Sequence, residues 1–347
     1  MSVVTAHERP GVYSVYEASS VVSAVPRSGT AAITAISSGG TAGNLYSLTN
    51  YGEAVTAFGS GDALTELVRL LFANGAVRVL AVPVANSNGY AAAFTLLNNQ
   101  ENVRVVVCDS SDLTVQQSLK TSVTAAAQVQ RERIAVVCGG ASETVSQLVT
   151  HAAGLNSERV VLAAPAATGT SGGAKLAAAV AGAICAGSDP AVPLGGAELT
   201  GLAGLAASWT ETEIDTLIQG GVTPVESVGG ICSVVRGVTT RTTTGSEEDA
   251  TWRELSTILV VDNVIPGIRS ALRSRFYRSK NTPQVRSAIR SQVILELENK
   301  RVAEIITSYG EVMVSEVEGN PTTCLVTFSF TVANGLNQIW LSAQITV

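Results

Sequence analysis

Two kinds of hydrophobic spacing alternate along most of the chain. From Ala31 to Ile36, Val77 to Val84, Val103 to Cys108, Ile134 to Cys138 and Val160 to Ala163 the apolar residues are nearly continuous. That is the pattern of strands buried on both faces. Between these runs the spacing becomes helical. After Asp62, residues Leu64, Leu67, Val68 and Leu71 fall on one helix face, with Asp62 as N-cap and Asn74-Gly75 as the stop. Stretches 114–131, 142–153 and 173–186 also read as helices. The alternation predicts an α/β domain, a mixed or parallel sheet covered by helices.

The two ends differ in texture. Residues 1–28 read as an arm whose strand-like run, Val12 to Tyr16, is too short to fold alone. Beyond Asp189-Pro190 comes a glycine-rich loop zone, then a short helix from Glu211 to Gly220, a strand from Ile231 to Val238, and a polar loop or crossing from Thr239 to Glu248. Trp252 to Val261 leads to Pro266-Gly267, where a helix bearing Ile268, Leu272 and Phe276 is expected to begin. Thr282-Pro283 caps a second helix, read as reaching Tyr309. Met313–Val317 and Thr323–Val332 form a predicted hairpin around Gly319-Asn320-Pro321. In the closing strand Ile339, Leu341, Ala343, Ile345 and Val347 share one face. The expected division is 1–28 arm, 29–248 α/β domain, 249–334 helix-and-hairpin domain and 335–347 terminal strand, α+β in overall class.

Composition then narrows the function. Only 14% of the 347 residues are charged, against about 25% in an ordinary soluble domain. Arginine outnumbers lysine 18 to 4. A surface short of charge and rich in arginine suits contact with other subunits. Five isolated cysteines without a C-x-x-C pair point to reduced thiols and a cytoplasmic origin. Met1 to Val25 carries Glu8, Arg9, Pro10 and Glu17 and no apolar core, so no leader is expected. The apolar run Leu176–Ala186 is too short to span a bilayer.

Motifs of chemistry fail on inspection. Gly169-Thr170-Ser171-Gly172-Gly173 matches a nucleophile elbow, but no histidine follows Ser171 to take its proton. The same loop is not a phosphate-binding loop, because Ala174 and Leu176 stand where a glycine and a magnesium-binding hydroxyl are needed. His7 and His151 read as surface or cap residues. No catalytic, cofactor or metal residues are expected, and no cofactor.

One charge pattern stands out. Between Asn263 and Gln292 lie Arg269, Arg273, Arg275, Arg278, Lys280, Arg286 and Arg290, and no acid. That segment is +7, so with a net charge of −6 the remainder totals −6 − 7 = −13. The i, i+4 spacing of 269/273 and 286/290 aims these cations one way, which fits docking on an acidic surface. Nucleic acid is disfavoured, since the only aromatics among these cations are the adjacent Phe276 and Tyr277 and the chain is acidic overall.

Several strings resemble the tail sheath proteins of contractile phages and phage-tail-like bacteriocins. They are Pro10-Gly11-Val12-Tyr13, Asn74-Gly75-Ala76 with the strand to Val82, Ala186 to Pro190 with Pro193, Val234-Val235-Arg236-Gly237-Val238-Thr239-Thr240, and Asp262 to Phe276 with Lys280-Asn281-Thr282. The resemblance implies a structural subunit, not an enzyme. It implies six-membered rings stacked around an inner tail tube, contracting from a metastable extended state, with baseplate and terminator proteins as further partners. It places the α/β domain outside and the helix-and-hairpin domain against the tube, with the seven cations as tube contacts. It makes Val12, Tyr13, Val15, Tyr16, Ile339, Leu341, Ala343, Ile345 and Val347 linking strands between subunits. It also implies synthesis in a bacterial host cytoplasm, a place in a virion tail or released particle, and no direct contact with nucleic acid or membrane. Another self-assembling shell, a baseplate component or an α/β enzyme are the alternatives.

Overall fold

A computed structural model describes residues 29–338 together with Leu341 and Ser342. The expected linking residues Val12, Tyr13, Val15, Tyr16, Ile339, Ala343, Ile345 and Val347, and His7, lie outside the described residues.

The elements run β1 (Thr30–Ile36), β2 (Tyr46–Leu48), α1 (Tyr51–Phe58), α2 (Ala63–Ala73), β3 (Arg78–Val84), α3 (Tyr90–Asn98), β4 (Val105–Cys108), α4 (Leu113–Gln128), β5 (Ile134–Cys138), α5 (Val145–Leu155), β6 (Val160–Ala164), α6 (Gly172–Ala186), β7 (Glu198–Leu199), α7 (Glu211–Gln219), β8 (Val222–Val228) and β9 (Ile231–Val234). Among the described residues nine strands form one mixed sheet, ordered β2-β3-β1-β4-β5-β6-β8-β9-β7. The six from β3 to β8 are parallel; β2 closes one edge and the β9–β7 pair the other, all antiparallel.

Alternation along the parallel strands feeds two cores. Ala31, Ile33, Val105, Val107, Val136 and Val161 face α2 and α6, whereas Ala32, Val106, Ala135, Val137 and Leu162 face the layer of α3, α4 and α5. The expected helix after Asp62 is present, and Asp62 Oδ1 accepts the Leu64 N–H at 2.9 Å. Helix α6 packs tightly on α2 because it is built of alanine and glycine. A side chain at Gly182 would sit 2.7 Å from the Cβ of Asn74 and 2.8 Å from the Leu71 carbonyl.

The chain continues as β10 (Thr243–Thr244), β11 (Glu247–Glu248), α8 (Leu255–Phe276), α9 (Pro283–Val302), β12 (Ile306–Tyr309), β13 (Met313–Val317), β14 (Asn320–Thr327) and β15 (Phe330–Val332). Four expectations change here. Helix α8 begins at Leu255 and passes through Pro266 instead of starting there. It is long and apolar enough to cross a membrane by length and composition, yet 78% of that window is buried in the protein, so it is read as a core helix. Helix α9 ends at Val302, and Ile306–Tyr309 is a strand. The predicted strand Thr323–Val332 divides at Phe328-Ser329: β14 pairs with β13, and β15 with β12. The stretch read as a polar crossing is not wholly a surface loop, because Thr239 and Thr240 are fully buried. Their hydroxyls donate to the Trp252 and Ser157 carbonyls at 2.7 and 3.1 Å.

Candidate assembly interface

The seven expected docking cations do not share one environment. Arg269 is buried, and its guanidinium lies 2.7 Å from Glu132 with both side chains under a tenth exposed. It belongs to the interior of the subunit, not to an exposed docking face. Arg275 donates to Gln292. Arg286 donates to Asn281 at 2.9 Å and meets Glu316 at 3.1 Å. Arg290 donates to the Val312 carbonyl at 2.7 Å and reaches Glu311 at 3.5 Å. These last two hold α9 against the β13–β14 ribbon. Arg273, Arg278 and Lys280 are exposed at the end of α8 and the turn after it, beside the half-exposed Tyr277. The i, i+4 pair 269/273 does not share one exposed face, because α8 is enclosed as far as Arg269 and open beyond it.

The β13–β14 and β12–β15 pairs are separate two-stranded sheets. Each covers part of the α8–α9 core with one face through Val314, Val326, Phe330 and Val332. Their outer strand edges carry backbone groups that no strand among the described residues pairs. Two-stranded ribbons of this length are marginal alone and offer sites for strand addition. Met313 and Leu325 are about half exposed on the outer ribbon face, and Leu341 is exposed.

A row of arginines at the foot of the parallel sheet escaped the sequence reading. Arg78, Arg104, Arg133 and Arg159 each stand at the start of a strand, in β3 or just before β4, β5 and β6. Preceding helices end at this side with unpaired carbonyls and the negative end of the helix dipole. Arg104 donates to Cys185 O and Gly187 O at 3.0 and 2.7 Å, closing α6. Arg133 donates to Leu97 O and Gln100 O at 2.8 and 2.7 Å, closing α3. Burial pushes the Arg133 guanidinium down to about 10, with Arg131 adding to the effect. Arg159 holds Asp262 of α8 through contacts of 2.8 and 2.9 Å. The signal was legible: an arginine directly before a β-branched run, four times over.

Elsewhere, Ser171 is exposed with positive φ at the start of α6 and makes no capping bond. His151 is not a surface residue. It is buried, with Nδ1 3.0 Å from Glu143 and Nε2 3.0 Å from Gln116. Among the described residues no group of histidine, cysteine and acid side chains is arranged to hold a metal. The cysteines are buried or half-buried, and burial pushes the Cys138 and Cys185 thiols up to about 12.

Comparison with known proteins completes this picture. The family model for the phage tail sheath protein central domain matches residues 84–240, and that for the phage tail sheath C-terminal domain matches residues 247–346. The chain belongs to the phage tail sheath protein family. Among curated proteins compared by sequence, none matches it. The sheath chain shares its fold with a sheath tail protein from Desulfitobacterium hafniense, at TM-score 0.72 and 12% identity over 97% of this chain and all of that one. It is similar to a chain of the anti-feeding prophage helical sheath in its contracted state, at TM-score 0.73 and 14% identity over 98% and 99%. A chain of the six-fold symmetrised anti-feeding prophage baseplate gives TM-score 0.74 and 15% identity over 99% and 100%. Sheath families of this kind are structural, and this subunit shares a fold with members of contractile assemblies.

Proposed function

We propose that the chain polymerises as stacked six-membered rings around an inner tail tube and contracts from a metastable extended state to drive that tube through a target envelope. The observation that carries this reading is the pair of open-edged ribbons, β12–β15 and β13–β14, in a chain of the sheath family. Unpaired edges within a stable subunit need strands from elsewhere. The segments Val12–Tyr16 and Ile339–Val347 of neighbouring subunits supply them by β-augmentation. Arms of this kind keep rings linked while they slide and rotate. The subunit divides functionally into the 1–28 arm, the outer 29–248 domain, the tube-facing 249–334 part and the 335–347 strand. Arg273, Arg278 and Lys280 make the tube contact, whereas Arg275, Arg286 and Arg290 shape the surface that presents them. Baseplate and terminator proteins cap the stack, and host cytoplasm is where the subunit is made.

Deleting Ile339 to Val347 tests the linking role. The truncated chain is expected to keep the thermal melt of its α/β core and to stay unpolymerised in sedimentation. Normal polymer from the truncated chain would rule the strand out as a link. Loss of the whole fold would mean that the strand packs inside its own subunit.

A further inference from the structure

The end of the β8–β9 hairpin projects beyond the helices that cover the sheet, and Glu226 to Ile231 are all exposed. Register places both Glu226 of β8 and Glu198 of β7 opposite Ser233 of β9. Residues opposite each other share a face, so two carboxylates flank one hydroxyl about 10 Å apart, two strand spacings. One pair nearer the tip on that same face, Val228 opposes Ile231. They are 65% and 52% exposed. Gly229 and Gly230 both have positive φ and close the tip as a two-residue turn, which fixes the aliphatic pair in place. This is an uncovered sheet face, apolar at the tip and acidic behind it.

The complementary surface lies on the same chain. At the end of α8 and in the turn after it, Arg273, Arg278 and Lys280 are exposed around Tyr277, which is 57% exposed. No acid among the described residues pairs with these three cations. We infer that the β7–β9–β8 face of one subunit binds the Arg273–Lys280 segment of a second copy, with Tyr277 over Val228 and Ile231 and the cations against Glu198 and Glu226. Opposite charge fixes the pairing, and the apolar contact supplies area that an exposed ion pair lacks. Two different surfaces meet, so the contact is head-to-tail and propagates from copy to copy instead of closing on a two-fold axis. The inference rests on the reading of the chain as a self-assembling subunit, and it describes the sheath protein without a tube to occupy those cations.

The test uses the full chain alone and reads the concentration at which polymer forms, by light scattering and sedimentation. The double reversal E198R with E226R, and separately R278E with K280E, is expected to raise that concentration about tenfold. Combining all four substitutions is expected to bring it back to within about threefold of the wild type. A third double variant, V228S with I231S, should weaken assembly and leave its salt dependence unchanged. Wild-type melting temperatures certify that each variant is folded. Reversals that leave the threshold where it was, or a fourfold variant no better than the doubles, would overturn the inference. The sheath reading would survive that result, because it is tested by whether the wild-type chain forms striated tubes, not by which surface sets the threshold.

Discussion

Arg159 and Asp262, 103 residues apart in the chain, meet in a two-pronged ion pair at the foot of the parallel sheet. Arg159 is 1% exposed and also donates to the Arg133 carbonyl at 3.2 Å. Two helical turns further along α8, Arg269 meets Glu132 at the approach to the neighbouring strand β5. These two contacts bolt α8 to the α/β body on both sides of Pro266. A proline inside a helix removes one backbone bond and crowds the preceding turn. Here the helix stays continuous because tertiary contacts hold both of its halves.

Removing the acid from that pair leaves a buried guanidinium without its counter-charge. Asp262→Ala is expected to lower unfolding free energy by about 3–5 kcal/mol. Replacing both partners by leucine should cost less than Asp262→Ala alone, as no charge is then stranded. Urea unfolding of the two variants checks this; a double variant weaker than the single would show that the pair's attraction exceeds its desolvation cost.

Asp109 gives a pH dependence with a defined sign. It stands at the carboxyl end of β4, accepts the Ile36 N–H at 3.0 Å and the Tyr90 hydroxyl, and is raised above the ordinary carboxylate range by burial. A group raised in the folded state favours folding below its unfolded titration and loses that contribution as pH rises through the folded one. Asp109→Asn keeps the shape and removes the charge: the amide oxygen can still accept the Ile36 N–H, while the amide nitrogen donates to the Tyr90 hydroxyl oxygen, reversing that bond. It is expected to be as stable as the wild type or more so at pH 7, with the advantage fading toward pH 4. A loss at pH 7 that shrinks toward pH 4 would mean that the ionised carboxylate is the favoured form.

Much of the α/β body was legible because its central strands are continuous apolar runs and α2 carries both of its end signals. The rest had local reasons. Strand β8 contains Pro224, which argues against a strand, yet it lies at the last pairing with β6, opposite Ala164. Helix α3 presents Tyr90, Ala93, Phe94 and Leu97 at helical spacing but ends without a glycine stop, and it passed unread. Strand β12 was absorbed into α9 because only Ala303-Glu304 separates helix from strand-like residues, and the positive φ of Glu304 makes the turn. Among the candidate contacts, spacing could group the seven cations but could not say which ones have acids facing them. Glu132, Glu311 and Glu316 lie far from them in sequence, or on a hairpin whose register had to be known.

That partition changes how tube docking is probed. Arg269 is the wrong position, since reversing it would place an acid against Glu132 in the interior. Arg273→Glu with Arg278→Glu is expected to leave the melt within a degree or two of wild type and to reduce co-sedimentation with the inner tube about tenfold. Higher salt should weaken wild-type binding as well. Undiminished co-sedimentation of the double variant would move the docking surface elsewhere on the subunit.

As a sheath subunit, this chain is expected to assemble through its own surfaces. Negative-stain electron microscopy of the purified full chain at near-physiological salt, without nucleotide or metal, tests it most directly. Hollow, transversely striated tubes with six-fold symmetry in end views are expected. Discrete single-chain particles at high concentration, or closed shells without striation, would contradict it.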